Sequence, residues 1–173
     1  MFSNPKRIID SLSIIPGMKI ADIGSGSGEY SLPLAEATGS SGKVYAIDIQ
    51  KDLLERLKKA ADERGIMNID ILWGDVDEDG GTGLKDNSVD MSIAPNILFQ
   101  VEKPESLAKE IGRITKPNGK VVLIDWSDSF GGLGPRKESI FSKEKALTVF
   151  SGFEKVSEIE AGDHHWGIIL KKV

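Results

Sequence analysis

The chain has 173 residues, a net charge of −5 from 22 Lys and Arg against 27 Asp and Glu, and no cysteine. The length suits one domain with its own core, read as residues 1–173, and without cysteine there is no disulfide framework, Cys-bound zinc, iron–sulfur cluster or thiolate nucleophile. The acidic balance argues against bulk nucleic-acid binding, which leans on excess positive charge, and no apolar run approaches the ~18 residues of a membrane span.

The start, MFSNPKRIID, has no apolar signal core, so a cytoplasmic location is expected. A first helix is expected from Asn4 to Ser13, capped by Asn4, with Pro5 in its first turn and Ile8, Ile9 and Leu12 on one face. Pro16-Gly17 turns the chain into a first strand, Met18–Ile23. Helical patterning returns after Gly28, through Tyr30, Leu34 and Ala37. A second strand runs Val44–Ile49, and a helix follows with Leu53, Leu54, Leu57, Ala60 and Ala61 on one stripe and Gly65 as its stop. Ile69, Ile71 and Trp73 alternate as a third strand, residues 74–88 form an acidic loop, and Val89–Ala94 is a fourth strand. Pro104 opens a helix carrying Leu107, Ala108, Ile111 and Ile114. Pro117-Asn118-Gly119 is expected to turn into a fifth strand, Lys120–Asp125. A glycine-rich loop precedes a helix capped by Ser142, with Leu147 and Phe150 inside. Phe153–Ile159 and Trp166–Val173 are the last two strands.

Strands separated by helices imply right-handed crossovers and a mainly parallel α/β sheet, doubly wound and covered on both faces. The final connection is too short for a crossover, so the last pair is an antiparallel hairpin. Sheets of this kind bind ligands at the carboxyl ends of their strands.

Glycine stands at 19 residues, above the usual share of about 7 %. Three of the 19 sit where the first strand ends, in Asp22-Ile23-Gly24-Ser25-Gly26-Ser27-Gly28. Glycines there admit positive φ and close approach of a ligand, and free N–H groups at the next helix start favour a polar or anionic group. The spacing is G-x-G-x-G, whereas a dinucleotide fingerprint wants G-x-G-x-x-G. Asp48, near the end of the second strand, is placed to accept hydrogen bonds from both hydroxyls of a ribose. Asp75, after the third strand, is placed to take an exocyclic amine of adenine, with an adjacent backbone N–H for a ring nitrogen.

Asp22–Gly28 resembles the first motif of the Rossmann-like (class I) S-adenosylmethionine-dependent methyltransferases. Val44-Tyr45-Ala46-Ile47-Asp48 is similar to their second-strand motif, and Gly74-Asp75-Val76 to their third. Asn87–Ser92 and Lys116–Ile124 are similar to their entries into strands 4 and 5. The likeness is nearest to small single-domain enzymes of the ubiquinone-biosynthesis type. It implies a seven-stranded sheet of order 3-2-1-4-5-7-6 with strand 7 antiparallel, and S-adenosylmethionine as cofactor. It implies that Gly24, Ser25 and Gly26 line the methionine part, with Gly28 closing the motif. Asp48 and the adjoining Ile49 would serve the ribose, and Asp75 and Val76 the adenine. Asp22 would hold the loop or meet the cofactor's amino group.

Methyl transfer from a sulfonium needs a nucleophile held about 3–3.5 Å from the methyl carbon with water excluded, and a general base is optional. Ala94-Pro95-Asn96 departs from the Asn/Asp-Pro-Pro-aromatic motif of adenine, cytosine and glutamine N-methyltransferases, which discounts those acceptors in favour of a small molecule. Asn96 either orients an acceptor or makes a turn, and Trp126 either walls the pocket or packs in the core. His164 and His165, the two histidines, fall near the rim as candidate general bases or as solvated hairpin residues, and at most one should face inward. The first helix and the loop after the fifth strand are expected to supply the lid. No metal set is credible, the acidic run Asp75–Asp79 reads as a solvated loop, and the chain is either a monomer or a homodimer. Two other readings stand beside the methyltransferase: a non-catalytic cofactor-binding module and an NAD(P)-dependent oxidoreductase.

Overall fold

The computed structural model describes residues 3–130 and 132–173. The chain begins with α1 (Pro5–Ser11), and the Asn4 side chain accepts from the Arg7 amide at 3.1 Å, as its capping role requires. There follow β1 (Lys19–Ile23), α2 (Ser31–Thr38), β2 (Lys43–Asp48), α3 (Lys51–Glu63), β3 (Ile69–Trp73), β4 (Val89–Pro95), α4 (Pro104–Ile114) and β5 (Thr115–Trp126). A 3-10 turn at Lys137–Ser139, α5 (Lys143–Val149), β6 (Phe153–Ile159) and β7 (His165–Lys172) complete it. Because α2 starts only at Ser31, Pro33 lies in its first turn, where a missing N–H removes no helical bond.

The seven strands form one sheet, ordered β3-β2-β1-β4-β5-β7-β6, parallel except that β7 runs antiparallel to both neighbours. This is the doubly wound Rossmann-like order that the resemblance implies. Alternation along the strands divides the core. Val122 and Ile124 of β5 share one cluster with Ile8, Ile9 and Leu12 at α1 and Leu34 of α2, while Val121 and Leu123 share another with Leu107 and Ile111 of α4 and Ala146 of α5. No helix among the described residues is long and apolar enough to cross a membrane.

One expectation is corrected. Pro117-Asn118-Gly119 does not precede the fifth strand but lies within it. Asn118 takes φ +62°, and the partners step from Val89↔Thr115 to Met91↔Lys120, so the extra residues form a bulge. At Gly119 a side chain would meet Thr115 Cγ2 at 2.6 Å and the Lys116 carbonyl at 2.8 Å, so glycine serves close packing there. The first helix is part of the body, since Ile8, Ile9 and Leu12 are buried in the core cluster. The acidic run after β3 is pinned to the start of α4. Asp77 accepts from the amides of Glu102 and Lys103 at 3.1 and 2.9 Å, while Glu78 and Asp79 pair with Lys103 and Lys109.

The same loop is held lower down by Glu110 of α4, which is buried and accepts from the Thr82 amide and hydroxyl and from two Arg113 nitrogens. Burial by itself raises the Glu110 carboxyl. The bonds from Arg113 and Thr82 outweigh it and hold the group at about 2.

Gly28 stands at φ +96°, and a Cβ there would collide with Leu57 Cδ1. Gly26, at φ +53°, has open space beside it. Gly28→Ala should therefore lose about 2–4 kcal/mol of unfolding free energy in urea, combining backbone strain and overpacking, against about 1 kcal/mol for Gly26→Ala. Equal losses in the two variants would remove the packing role given to Gly28.

Candidate functional site

The carboxyl ends of the parallel strands meet along one edge, and the chain's exit from β1 shapes it. The amides of Gly24 and Ser25 both donate to the Ile47 carbonyl, at 2.8 and 2.9 Å. The Gly26 amide donates to Asp48 Oδ2 at 2.8 Å, and the Gly28 amide to the Ser25 carbonyl at 3.0 Å. These four amides therefore have partners inside the protein. Through them the loop folds back on β2. Gly24, at φ +74°, lies under Ile97, whose Cδ1 would be 2.6 Å from any Cβ.

Asp48 caps this turn and the next one. It is 8 % exposed, and its Oδ1 accepts the Gln50 amide at 2.8 Å. A carboxylate has about four lone-pair sites, so two acceptor positions stay available toward the cleft that Asp48 lines. Asp75 uses Oδ1 to take the Asp77 amide at 3.0 Å. Gly74 and Gly81 press together so closely there that neither position admits a Cβ.

Between these elements lies a cleft of about 480 Å3. Gly24, Gly26, Asp48 and Ile49 line it together with Asp75, Val76, Asp77 and Glu78 and with Ile97 and Gln100–Lys103. Five carboxylates line it (Asp48, Asp75, Asp77, Glu78, Glu102) against one cation, Lys103, itself paired with Glu78 at 3.1 Å. A smaller hollow of about 240 Å3 shares Gly24, Gly26, Leu53 and Gln100 and adds Ser25, Glu29, Tyr30 and Asn96.

Asp22 and Gly28 line neither space. Asp22 is fully buried beneath the loop, where Oδ2 accepts from the Ser31 hydroxyl at 2.6 Å. Burial pushes its carboxyl up to about 7, more than the Ser31 bond pulls it down. Three buried polar atoms on this side have no hydrogen-bond partner: Asp22 Oδ1, Ser25 Oγ and Asn96 Oδ1. Asn96 makes a turn at φ +55° and also faces the hollow, so both expected roles are compatible with its position.

Neither histidine lines the cleft or the hollow. One faces inward, as expected, but into aromatic packing. The His165 ring lies 4.2 Å from the Trp126 ring, and burial lowers its pKa. His164 Nδ1 pairs with Asp128 Oδ1 at 2.7 Å, and its ring stacks on Phe130 at 4.4 Å. Trp126 packs between His165 and Gly134 and does not wall the cleft. In the loop after β5, Phe130 and Leu133 exchange backbone hydrogen bonds in a tight turn, and Gly131 lies outside the described residues. No group of side chains able to hold a metal ion occurs among the described residues.

A family model described as a methyltransferase domain matches residues 14–164. The chain belongs to that family. Its fold is the class I S-adenosylmethionine-dependent one, related to the ubiquinone and menaquinone methyltransferases. A demethylmenaquinone methyltransferase of Geobacillus sp. (strain WCH70) is 30 % identical over 116 residues, 67 % of this chain and 48 % of that protein. The chain thus spans about half the length of the curated relatives it matches. A S-adenosylmethionine-dependent methyltransferase of Aquifex aeolicus superposes with a TM-score of 0.89 at 25 % identity, covering 99 % of this chain and 91 % of that one. The [4+2]-cyclase SpnF superposes at 0.82 with 16 % identity over 97 % of this chain and 79 % of its own, and shows the fold alone.

The site suits the family's cofactor. S-adenosylmethionine brings a sulfonium and an ammonium, both attracted by acidic walls, and its ammonium supplies donors of the kind the orphaned oxygens lack. Sequence reasoning missed the cleft lining between residues 97 and 103. Ile97, Gln100, Val101, Glu102 and Lys103 carry no periodic or motif signal, and Pro95-Asn96 marks only that a turn begins.

The raised Asp22 carboxyl yields a test. Its folded pKa lies above its unfolded value, so the folded state binds the extra proton and stability falls as pH rises from about 4 to about 7. Asp22→Asn removes this titration. The variant should gain on the wild type by up to roughly 1.4 kcal/mol per pH unit across that window, measured by urea unfolding. A difference independent of pH would mean that Asp22 is ionised in the fold.

Proposed function

We propose that the protein transfers a methyl group from S-adenosylmethionine to a small-molecule acceptor. The observation that carries this reading is that the glycine loop, Asp48 and the Asp75–Val76 turn line one acidic cleft whose loop amides are already bonded internally. A dinucleotide needs free loop amides and tolerates poorly a wall of carboxylates against its pyrophosphate. The oxidoreductase reading loses its support on both counts.

When bound, S-adenosylmethionine supplies a methyl group on a sulfonium, open to in-line displacement. The chain's own residues bind and orient it. In this reading Asp48 accepts from the ribose hydroxyls beside Ile49, and Asp75 and Val76 meet the adenine. Gly24, Ser25 and Gly26 run along the methionine part, with Gly28 fixing their turn. Asn96 turns its unpartnered oxygen toward the ammonium, while Asp22 holds the loop from beneath through the Ser31 hydroxyl. Orientation and exclusion of water are then the main contributions of the protein to rate. No residue of the cleft is assigned as a base, which suits an acceptor that arrives deprotonated or with a free lone pair. The naming of several relatives as demethylmenaquinone methyltransferases favours an acceptor with a quinone-type ring.

A non-catalytic cofactor-binding module is the second reading. What favours it is the placement of both histidines away from the cleft.

Calorimetric titration separates these cases. Wild type should bind S-adenosylmethionine with a micromolar Kd and not bind NAD. Asp48→Ala should bind it at least about tenfold more weakly, a loss of about 1.4 kcal/mol or more. Wild-type affinity in Asp48→Ala would sink the assignment of the ribose site. Formation of S-adenosylhomocysteine with a panel of small phenolic, amine and enolate acceptors decides for the enzyme, and binding with no turnover on any acceptor decides for the module.

A further inference from the structure

Asp125 has no exposed surface and stands one residue before the end of β5, outside both the cleft and the hollow. Its carboxylate faces backbone donors. Oδ1 accepts the Trp126 amide and Oδ2 the Leu98 amide, each at 2.8 Å. Leu98 and Phe99 open the single turn that follows Asn96. In that turn the amides of Gln100 and Val101 both return to the Ile97 carbonyl, at 2.9 and 3.2 Å. The first amides of a turn have no partner within it, and a side-chain oxygen normally supplies one from the preceding residues. Here the acceptor comes from a neighbouring strand.

The anchored turn carries Ile97, Gln100 and Val101 of the cleft wall, and Ile97 closes over Gly24 of the glycine loop. The anchor is local and specific. The only other described bond fixing the start of the turn to β5 runs from the Asn96 amide to the Ile124 carbonyl, at 2.8 Å. An asparagine at 125 matches the shape of aspartate, yet it must aim its NH2 at one of the two donors.

We infer that Asp125 is a positioning residue for the cofactor: by binding the Leu98 amide it sets the part of the cleft lining that Ile97, Gln100 and Val101 present. Burial raises the carboxyl to about 7, consistent with a group held by neutral donors alone. The inference rests on the cofactor assignment above and adds to it a residue that touches no ligand.

The test compares S-adenosylmethionine affinity with stability in Asp125→Asn and in Phe150→Leu. Phe150 is a buried core residue at the end of α5, away from the cleft, so its variant controls for lost stability alone. At a temperature where all three proteins are folded, Asp125→Asn should bind about tenfold or more weakly than wild type, with Phe150→Leu unchanged. Equal binding by Asp125→Asn and wild type overturns the inference, and so does equal weakening in both variants. Failure of the wild type itself to bind would instead refute the cofactor assignment. Amide hydrogen exchange decides independently of ligand and of the variant's folding. In the wild type the Leu98 amide should exchange at least about a hundredfold more slowly than exposed loop amides, and exchange at the exposed rate overturns the inference.

Discussion

The ligand edge depends on how the chain leaves β1. Two consecutive amides, Gly24 and Ser25, converge on one carbonyl of β2, and a third, Gly26, donates to the carboxylate that follows it. That geometry requires backbone at φ +74° and +53°, and Gly24 must also lie directly under Ile97. A side chain at Gly24 would meet both obstacles. Once the loop is fixed on β2, Asp48 and the turn after β3 face the same space, because β2 pairs in parallel register with both β1 and β3.

The acidic residues of this edge share a physical task. Asp48 accepts the amides of Gly26 and Gln50, Asp77 those of Glu102 and Lys103, and Asp125 those of Leu98 and Trp126. Each joins segments that are distant in sequence by satisfying amides that a turn leaves without partners. Negative charge along the edge therefore shapes the turns as well as the cleft between them. Glu110 does the same one layer below, where Arg113 makes full ionisation favourable despite burial. The contrast with Asp22 and Asp125 is a matter of partners. With a guanidinium at hand the carboxyl is held low, and with neutral donors only it rises toward 7.

The fold resembles that of proteins with different chemistry, including a cyclase, so the architecture by itself selects no reaction. What narrows it is the detail of the edge, where loop amides are closed, acceptors are orphaned and the walls are acidic. Part of the cleft lining comes from short motifs on β1, β2 and β3 and was readable from Gly24, Asp48 and Asp75. The lining at 97–103 was not. The two histidines looked like rim residues by their place in a hairpin, yet His165 is drawn into packing by Trp126 and His164 is engaged by Asp128 and Phe130.

By itself the sequence determined the strand and helix succession, the reversed final hairpin and the glycine loop with its following acids. Those follow from local rules: periodicity, turn chemistry and connection length. Tertiary structure alone decided that the segment 97–103 contributes to the cleft lining and that a buried aspartate at the end of β5 anchors it. It also decided that Pro117–Gly119 bulges within a strand instead of preceding one. These outcomes turn on which amides lack partners after the strands pair, and that is a property of contacts between distant segments that no local pattern encodes.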